Sequence, residues 1–418
     1  MLEIEINYED LQNQPILNCG MLGSVSDGKS TCVKQTTGVK TQRHSSEQTR
    51  NITIKPGYAN MKIWSDGEKY YSSDSKPITK EVNGKECKLV HHLSCIDCPG
   101  HHELILTMLG SIRLMNCVIL VVSAAEPINK KPQLIQHIAA IKISGIKKII
   151  VCLNKLDLVS IDVARERYNE LLLLLRKYEI SPNAIIPTSF NKSIGIDWLL
   201  EEIMNHFKLE EGKSSSTTFM ATRSFDVNKP GDSWEDLKGG VIGGSLFDGS
   251  LSVNDVIEIR PGIISNKNGK LSSQPIKSKI LSFKTDQENL TTIKPGGLIG
   301  IGTEIDPYYC KDDFLSGNTL GLEGKLPSVY DEVTLKFKII SDFGGQWKPK
   351  ENDSVNLQIG SISILSNVKK FGKKDITFTL TRPACIDPES LIMISHKEDG
   401  IMKIVASGNL VKGNILVE

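Results

Sequence analysis

The segment that most constrains this 418-residue chain is a glycine-rich stretch, residues 20–31, which follows an apolar run at residues 16–19. It contains the pattern G-x-x-x-x-G-K-S, which begins at Gly23 and ends at Ser30. A strand that ends in such a turn and continues into a helix directs several backbone N–H groups toward one point, which suits a bound phosphate. Lys29 is expected to reach the terminal phosphates, and the Ser30 hydroxyl to bind magnesium. The loop residues predicted to bind nucleotide are Gly23, Ser26, Asp27, Gly28, Lys29, Ser30 and Thr31.

Short apolar runs alternate with helical patterns from residue 16 to about residue 207. This alternation is typical of βαβ units around a parallel sheet, so an α/β P-loop domain is predicted over residues 1–209. The predicted strands are 16–19, 89–96, 117–123, 148–153 and 184–187. The predicted helices, which carry apolar residues at three-to-four spacing, are 30–36, 104–114, 133–144, 163–178 and 196–207.

The second half of the chain loses the helical period after a polar, serine-rich linker at residues 209–218. Short β-type runs between glycine, asparagine and aspartate turns then predict two all-β barrels, with a boundary near residues 326–328. The predicted domains are 1–209, 210–327 and 328–418. The predicted barrel strands are 219–225, 240–246, 256–260, 277–283 and 297–302, then 332–340, 354–365, 375–380, 391–395 and 402–406.

Composition points to a soluble cytoplasmic protein. The formal net charge of +1 indicates no global preference for nucleic acid, so any RNA contact must come from local patches. The nine cysteines are scattered, and several lie in apolar strand-like runs, which indicates reduced, buried thiols. The acidic N-terminus lacks an apolar signal core, and the longest apolar stretch, residues 114–125, is too short to span a bilayer. No membrane partner is expected.

The string DCPGH at residues 97–101 follows the predicted strand 89–96. At the end of such a strand an acidic residue can hold a magnesium-bound water, and the N–H of Gly100 can sense a γ-phosphate. Taken alone, the string is also typical of a strand-to-helix turn with His101 on the surface. Its position after the phosphate loop favours the first interpretation.

The string NKLD at residues 154–157 follows the predicted strand 148–153. Asp157 can accept both N–H donors of the guanine edge, while Lys155 covers the ring with its methylene stem and Asn154 ties the loop. Adenine lacks this donor pair, so the motif predicts guanine. By itself the string more often caps a helix; the three motifs in this order are what indicate a GTP site.

A fourth element, RNITIK at residues 50–55, lies between the phosphate loop and Asp97. Thr53 is predicted to complete the magnesium shell only when a γ-phosphate is present, which would make the segment a switch. Without the other motifs, NITI is simply a β-prone tetrapeptide. Thr53, Ser30 and Asp97 are thus the predicted metal-binding residues.

These residues resemble translational GTPases of the elongation factor Tu superfamily, and more closely the gamma subunits of initiation factor 2 of eukaryotes and archaea. The resemblance covers nearly the whole chain, and its second-barrel strings favour the gamma subunits over the elongation factors. It rests on RNITIKPGYAN at 50–60, DCPGHHELILTML at 97–109, RSFDVNKPG at 223–231, DLKGGVIGGSL at 236–246, VIEIRPGI at 256–263 and KPGGLIGIGTEIDP at 294–307.

The resemblance implies a GTPase, slow without a partner, that uses GTP, GDP and Mg²⁺ and carries methionyl initiator tRNA to the small ribosomal subunit. It implies alpha and beta subunits in a heterotrimer, together with GTPase-activating and exchange partners. Its implied catalytic residues are Lys29, which neutralises phosphate charge, Asp97, Gly100 and His101, which orients the attacking water. Val25 and Ile52 are the apolar residues implied to keep that water away.

Some positions depart from the family pattern. Ser24 and Asp27 replace histidines of the phosphate loop, and Asp27 is expected to bring a carboxylate beside the phosphates and weaken GTP binding. The last guanine element appears as Ser189, Phe190 and Asn191, where the phenylalanine either stacks near the base or crowds it. Residues 64–94 contain only Cys87, with Cys95 just beyond, too few ligands for structural zinc, so no zinc is expected.

RNA-contact residues are less clearly indicated. Tyr58 and Arg260 are candidates for binding the aminoacylated end of tRNA, although residues of these types in such runs more often pack or lie at the surface. Two other functions stay open: an elongation or selenocysteine-specific tRNA carrier, and a scaffold that keeps the fold but has lost nucleotide exchange.

Overall fold

A computed structural model of the chain describes residues 13–42, 47, 53–75, 79–209, 217–231, 233–285, 288–343 and 345–417. The chain divides into two compact units, with the boundary between residues 211 and 212. The first unit is α/β and the second contains two β-barrels, which confirms the predicted fold class. The predicted domain boundaries at 209/210 and 327/328 stay predictions.

The first unit is built on an eight-stranded sheet. Its strand order is β3-β2-β5-β1-β6-β7-β8, and β4 pairs with β5. The central strands β1 and β6 are buried along their whole length, as expected for apolar runs covered on both faces. The strands are β1 (Leu17–Leu22), β2 (Gly57–Ser65), β3 (Tyr70–Ser73), β4 (Thr79–Val82), β5 (Lys85–Asp97), β6 (Cys117–Ser123), β7 (Lys148–Asn154) and β8 (Ala184–Pro187).

Strand β2 is a feature that the sequence-based prediction missed. It runs antiparallel to β5, with Gly57 opposite Asp97, so the sheet is mixed rather than purely parallel. β3 and β4 extend the same antiparallel part of the sheet. This arrangement brings the segment that begins at Thr53 to the carboxyl end of β5.

Helices fill the connections between the parallel strands. Helices α1 (Lys29–Thr37) and α5 (Ile196–His206) contribute Cys32, Val33, Leu199, Leu200 and Ile203 to the apolar cluster that packs on the sheet. The helices are α1 (Lys29–Thr37), α2 (Ile105–Ile112), α3 (Pro132–Ser144), α4 (Ile161–Lys177) and α5 (Ile196–His206).

The first barrel of the second unit closes through six antiparallel strands, in the order β12-β17-β9-β10-β16-β13, because β13 also pairs with β12. Closure leaves these strands without free edges, and the inward residues form one apolar cluster. The strands are β9 (Thr218–Phe225), β10 (Val241–Asp248), β11 (Leu251–Ser252), β12 (Val256–Lys267), β13 (Lys270–Thr285), β14 (Glu288–Leu290), β15 (Thr292–Ile293), β16 (Ile299–Thr303) and β17 (Thr319–Leu322).

The second barrel is also closed, in the order β18-β21-β20-β19-β22-β23, with its own apolar core. Its strands are β18 (Val329–Ile339), β19 (Ser354–Ile359), β20 (Ile362–Phe371), β21 (Asp375–Cys385), β22 (Leu391–Glu398) and β23 (Ile401–Val417). Across the described ranges, no helix is both long enough and apolar enough to cross a bilayer.

Candidate nucleotide-binding site

A cavity of about 640 Å³ opens at the carboxyl ends of the parallel strands of the first unit. This edge is where ligands bind in α/β sheets, because the loops that follow neighbouring strands meet there. The cavity brings together most of the predicted nucleotide-site residues. Those that line it are Ser26, Gly28, Lys29, Ser30, Thr31, Thr53, Gly100, His101, Asn154, Lys155, Asp157, Ser189 and Asn191.

The phosphate loop connects β1 to α1 in a conformation that needs glycine. Gly23 has φ 139° and Gly28 has φ 105°, both in the region that disfavours a side chain. A Cβ on Gly28 would also lie 2.3 Å from the Nδ2 atom of Asn154. Since α1 begins at Lys29, its N-terminal N–H groups and positive dipole end face the cavity, as required for an anion site.

The Lys29 side chain is hydrogen-bonded to the backbone of the phosphate loop. Its Nζ atom donates to the carbonyl oxygen of Ser24 at 2.8 Å, and the residue is only 6% exposed. Burial lowers the pKa of the Lys29 ammonium, and the nearby charges of Asp97 and Asp27 oppose that shift. Burial is the larger effect, so the two carboxylates offset only part of the cost of burying the Lys29 charge.

One carboxylate oxygen of Asp97, the last residue of β5, accepts hydrogen bonds from three hydroxyl groups. Its Oδ2 atom accepts from Ser30 Oγ and Thr41 Oγ1, each at 2.6 Å, and from Thr53 Oγ1 at 3.4 Å. Burial raises the pKa of the Asp97 carboxyl, while the hydrogen bonds from Ser30 and Thr41 oppose the rise. Its Oδ1 atom is buried and has no hydrogen-bond partner among the described residues.

This set of oxygens fits a magnesium ion, which prefers carboxylate, hydroxyl and water ligands. Its three predicted members, Ser30, Thr53 and Asp97, lie together, with Ser30 Oγ 3.2 Å from Thr53 Oγ1. Within the described ranges, no three His, Cys, Asp or Glu side chains are grouped so that they could share a metal ion. The expected absence of zinc stays a prediction.

Gly100 packs directly on the phosphate loop. A Cβ at this position would lie 2.6 Å from Lys29 Nζ and 2.8 Å from the carbonyl oxygen of Gly23. His101 follows it on the cavity wall with 34% of its side chain exposed, and its Nδ1 atom accepts from the N–H of Glu103 at 3.4 Å. Gly100 therefore lies against the phosphate loop, and His101 lines the same cavity.

The Asn154 side chain connects the phosphate loop to the segment that follows β8. Its Nδ2 atom donates to the carbonyl oxygen of Asp27 at 2.8 Å, and its Oδ1 atom accepts from the N–H of Phe190 at 3.1 Å. Asp157 accepts a 2.5 Å hydrogen bond from Ser189 Oγ. Lys155 adopts φ 64°, and the sharp turn there leads the chain from β7 to Asp157.

Two expectations about the departures from the family pattern are corrected by the structure. The Phe190 side chain is fully buried in the core, so it neither stacks on nor crowds a base in the cavity. The Asp27 carboxylate is not directed into the cavity either: the residue is 1% exposed, and its Oδ1 atom lies 2.6 Å from Lys131 Nζ. The physical reason is that Lys131 supplies a buried positive charge behind the loop.

Of the remaining predicted residues, Val25 lines the cavity, and the others lie outside its lining or outside the described ranges. Tyr58 lies in β2 opposite Ile96 and is half-buried. Arg260 is 4% exposed and donates to Glu258 and to the carbonyl oxygens of Leu326 and Pro327, contacts that give its predicted role in tRNA binding no support. Ile52 lies outside the described residues.

Several residues of the site carried no usable sequence signal. Thr41 is an isolated threonine in the segment after α1, yet it donates to Asp97 across 56 positions. Glu47 is buried, and its Oε1 atom accepts from the N–H groups of Ile54 and Lys55. Lys131 was identifiable only as one lysine of a pair before a predicted helix.

Comparison with known proteins identifies the family. The family described as "Elongation factor Tu GTP binding domain" matches residues 14–209, and "Initiation factor eIF2 gamma, C terminal" matches residues 336–410. "Eukaryotic translation initiation factor 2 subunit gamma" of Encephalitozoon cuniculi is 37% identical over 98% of this chain and 95% of its own length. The chain belongs to the gamma-subunit family of initiation factor 2. The protein of the same name from Schizosaccharomyces pombe is 36% identical over 97% of this chain and 96% of its own.

Solved structures agree at the level of the fold. A bacterial selenocysteine-specific elongation factor superposes with a TM-score of 0.72 at 21% identity, over 94% of this chain; the chain spans 58% of that structure's length. Elongation factor SelB from Methanococcus maripaludis, in complex with the GTP analogue GppNHp, gives 0.71 at 17% identity, over 96% of this chain and 80% of its own. As a member of the initiation factor 2 gamma family, the chain is a translational GTPase of initiation that binds GTP and GDP.

Proposed function

We propose that this chain carries methionyl initiator tRNA to the small ribosomal subunit in a GTP-dependent manner, as the gamma subunit of a cytoplasmic heterotrimer with alpha and beta subunits. The observation that carries the proposal is the similarity to two proteins named as gamma subunits over at least 97% of the chain. A scaffold without nucleotide binding is disfavoured, because the buried positions of Asp27 and Phe190 remove two of the three departures that suggested it.

We assign the phosphate end of the cavity to Lys29 and to the N-terminus of α1. A buried cation and backbone N–H groups stabilise the charge that develops on the transferred phosphoryl group, and they need no reorganisation to do so. Ser30 and Thr53 would bind Mg²⁺ directly and Asp97 through water; the bound ion would neutralise phosphate charge.

Gly100 and His101 are assigned to the γ-phosphate and the attacking water. Gly100 packs so closely on the phosphate loop that a Cβ there would meet loop atoms, which supports a role for its N–H in responding to a bound γ-phosphate. His101 is partly exposed on the cavity wall, which leaves its ring accessible to a water molecule. At the other end, Asp157 would accept the N–H donors of guanine, and its hydrogen bond from Ser189 orients the carboxylate.

The delivery function is tested by binding methionyl initiator tRNA to the chain, alone and with alpha and beta subunits, in GTP and in GDP. Tighter binding in GTP, with elongator methionyl-tRNA as the negative control, is the expected result. Equal affinity in the two nucleotides would contradict GTP-dependent carriage.

The assignment of His101 is tested by comparing His101→Ala with His102→Ala, its neighbour outside the cavity lining. His101→Ala is expected to abolish partner-stimulated GTP hydrolysis and to leave nucleotide binding unchanged, because the ring acts on water and not on the nucleotide. His102→Ala is expected to hydrolyse GTP normally. Unchanged stimulated turnover in His101→Ala would refute the role.

A further inference from the structure

A buried ion pair lies behind the phosphate loop. The Lys131 Nζ atom is 2.6 Å from the Oδ1 atom of Asp27, and the two side chains are 5% and 1% exposed. Burying two charges costs free energy that is recovered only when the geometry is good and further hydrogen bonds satisfy both groups. The two residues are 104 positions apart, so the contact is a product of the fold and not of local sequence.

Both groups do make the further hydrogen bonds. Asp27 Oδ2 accepts from the N–H of Ser24 at 2.8 Å, and Asp27 Oδ1 accepts from the N–H of Ser123 at 3.1 Å. Lys131 Nζ donates in addition to the carbonyl oxygen of Ser123 at 3.1 Å. The pair therefore connects the first turn of the phosphate loop to the end of β6 and to the residue that precedes α3.

Ser24 and Asp27 also contact two side chains of the nucleotide site, Lys29 and Asn154. Ser24, whose N–H is held by Asp27, accepts the hydrogen bond from Lys29 through its carbonyl oxygen. The carbonyl oxygen of Asp27 accepts from Asn154 at the guanine end. A rotation of the Asp27 side chain would thus disturb the backbone that holds Lys29.

We propose that Lys131 is a positioning residue for nucleotide binding: through Asp27 it fixes the backbone of the phosphate loop and neutralises a carboxylate that would otherwise repel the phosphates. Lys131 does not line the cavity, so it acts on the nucleotide only through the loop. The inference rests on the proposed assignment of the loop as the phosphate site. The ion pair with Lys131 allows an acidic residue, Asp27, to lie in a loop that binds a polyanion.

The test is the Kd of fluorescent GDP and GTP analogues, with Mg²⁺, for the complete chain carrying Lys131→Met. Both affinities are expected to fall at least about tenfold, because the substitution leaves the Asp27 carboxylate buried and unpaired. Lys130→Met, the exposed neighbour, is the matched control and is expected to bind like the wild type. Lys131→Arg keeps the charge and is expected to bind within about threefold of the wild type.

Melting of the nucleotide-free proteins separates positioning from mere stabilisation. A residue that only stabilises the fold would lower the melting temperature and leave Kd unchanged at temperatures well below it. If Lys131→Met does not fold, the neutral pair Asp27→Asn with Lys131→Met removes the unpaired charge. It is expected to fold and to bind both nucleotides about three- to tenfold more weakly, because the loop has lost its connection to β6.

Wild-type affinity in Lys131→Met or in the neutral pair would overturn the inference. Lys29→Met, measured alongside, distinguishes this failure from failure of the site assignment. If Lys29→Met loses nucleotide while the Lys131 variants keep it, the site stands and the positioning role falls. If Lys29→Met binds normally, the assignment of the loop itself is wrong.

Discussion

The contacts of Gly100 explain why the residue after Pro99 has no side chain. The three heavy atoms nearest to a Cβ built there are Lys29 Nζ at 2.6 Å and two backbone atoms of the phosphate loop, Gly23 O and Ser24 C, at 2.8 Å. Flexible side-chain atoms can move away from a methyl group, whereas backbone atoms of a constrained loop cannot move without changing the loop. Position 100 is therefore a point where two nucleotide-binding segments meet.

Gly100→Ala is expected to weaken binding of GTP at least about tenfold, because the added methyl displaces the loop or the Lys29 ammonium. Titration with a fluorescent GTP analogue measures the change. Gly300→Ala is the matched control, since a Cβ there meets nothing closer than 3.6 Å. Wild-type GTP affinity in Gly100→Ala would show that the loop can yield at this point.

At this scale the sequence predicts residue types better than side-chain directions. Lys29, Asp97 and Asn154 were found because their chemistry is encoded in short, contiguous motifs that follow strands. The direction of the Asp27 carboxylate was predicted wrongly because its partner, Lys131, is 104 positions away. Thr41 was missed for the same reason: an isolated threonine gives no indication of a distant carboxylate.

Among the structural elements, β12 shows how a buried charge can support a barrel. Arg260 donates to Glu258 at 2.8 Å within the same strand, and also to the carbonyl oxygens of Leu326 and Pro327 just before β18. Burial opposes ionisation of Glu258, but hydrogen bonds from Arg260 and Gly324 outweigh it, so the pKa of that carboxyl lies below its ordinary value. The guanidinium therefore connects the first barrel to the segment that enters the second.

Arg260→Met is expected to destabilise the barrel region by about 3 kcal/mol, because it removes the guanidinium that pairs with the buried Glu258 and donates to the carbonyl oxygens of Leu326 and Pro327. Hydrogen exchange of the peptides from β12 and β17 measures the loss. The double variant Arg260→Met with Glu258→Gln should recover part of the lost stability. Lys277→Met, which breaks an exposed pair with Glu323, should leave exchange unchanged. Normal protection in Arg260→Met would refute this structural role.

The same pair gives the sign of a pH effect. Because the pKa of folded Glu258 is depressed, its contribution to stability is complete above the ordinary glutamate pKa of about 4.3 and is lost as the pH falls through the lower folded value. The difference in protection between wild type and Arg260→Met should therefore shrink below pH 4.

Element types followed from periodicity where a pattern was long. The parallel strands and five helices of the first unit were predicted, with boundaries that shifted by a few residues. β2 was missed although its residues 59–63 alternate between apolar and polar, because the strands of a βαβ pattern are sought as continuous apolar runs. Its place in the sheet depends on pairing with β5, which periodicity cannot show.

The whole molecule consists of two compact units, and the nucleotide cavity lies entirely within the first. The residues that line the cavity fall between positions 25 and 191, and α5 ends at His206. The eight-stranded sheet and its apolar cluster use residues of the first unit alone. A unit with its own core and a complete site can in principle fold and bind its ligand without the rest of the chain.

A fragment of residues 1–211 is therefore expected to bind a fluorescent GDP analogue with a Kd within about threefold of that of the complete chain. A fragment of residues 212–418 is the control and should not bind GDP. Under the proposed function, fragment 1–211 should not bind methionyl initiator tRNA. Binding of tRNA would require residues beyond 211, whereas binding of the nucleotide would not. Circular dichroism establishes that each fragment is folded. A folded 1–211 fragment without GDP affinity would mean that residues beyond 211 complete the nucleotide site, contrary to the cavity described above.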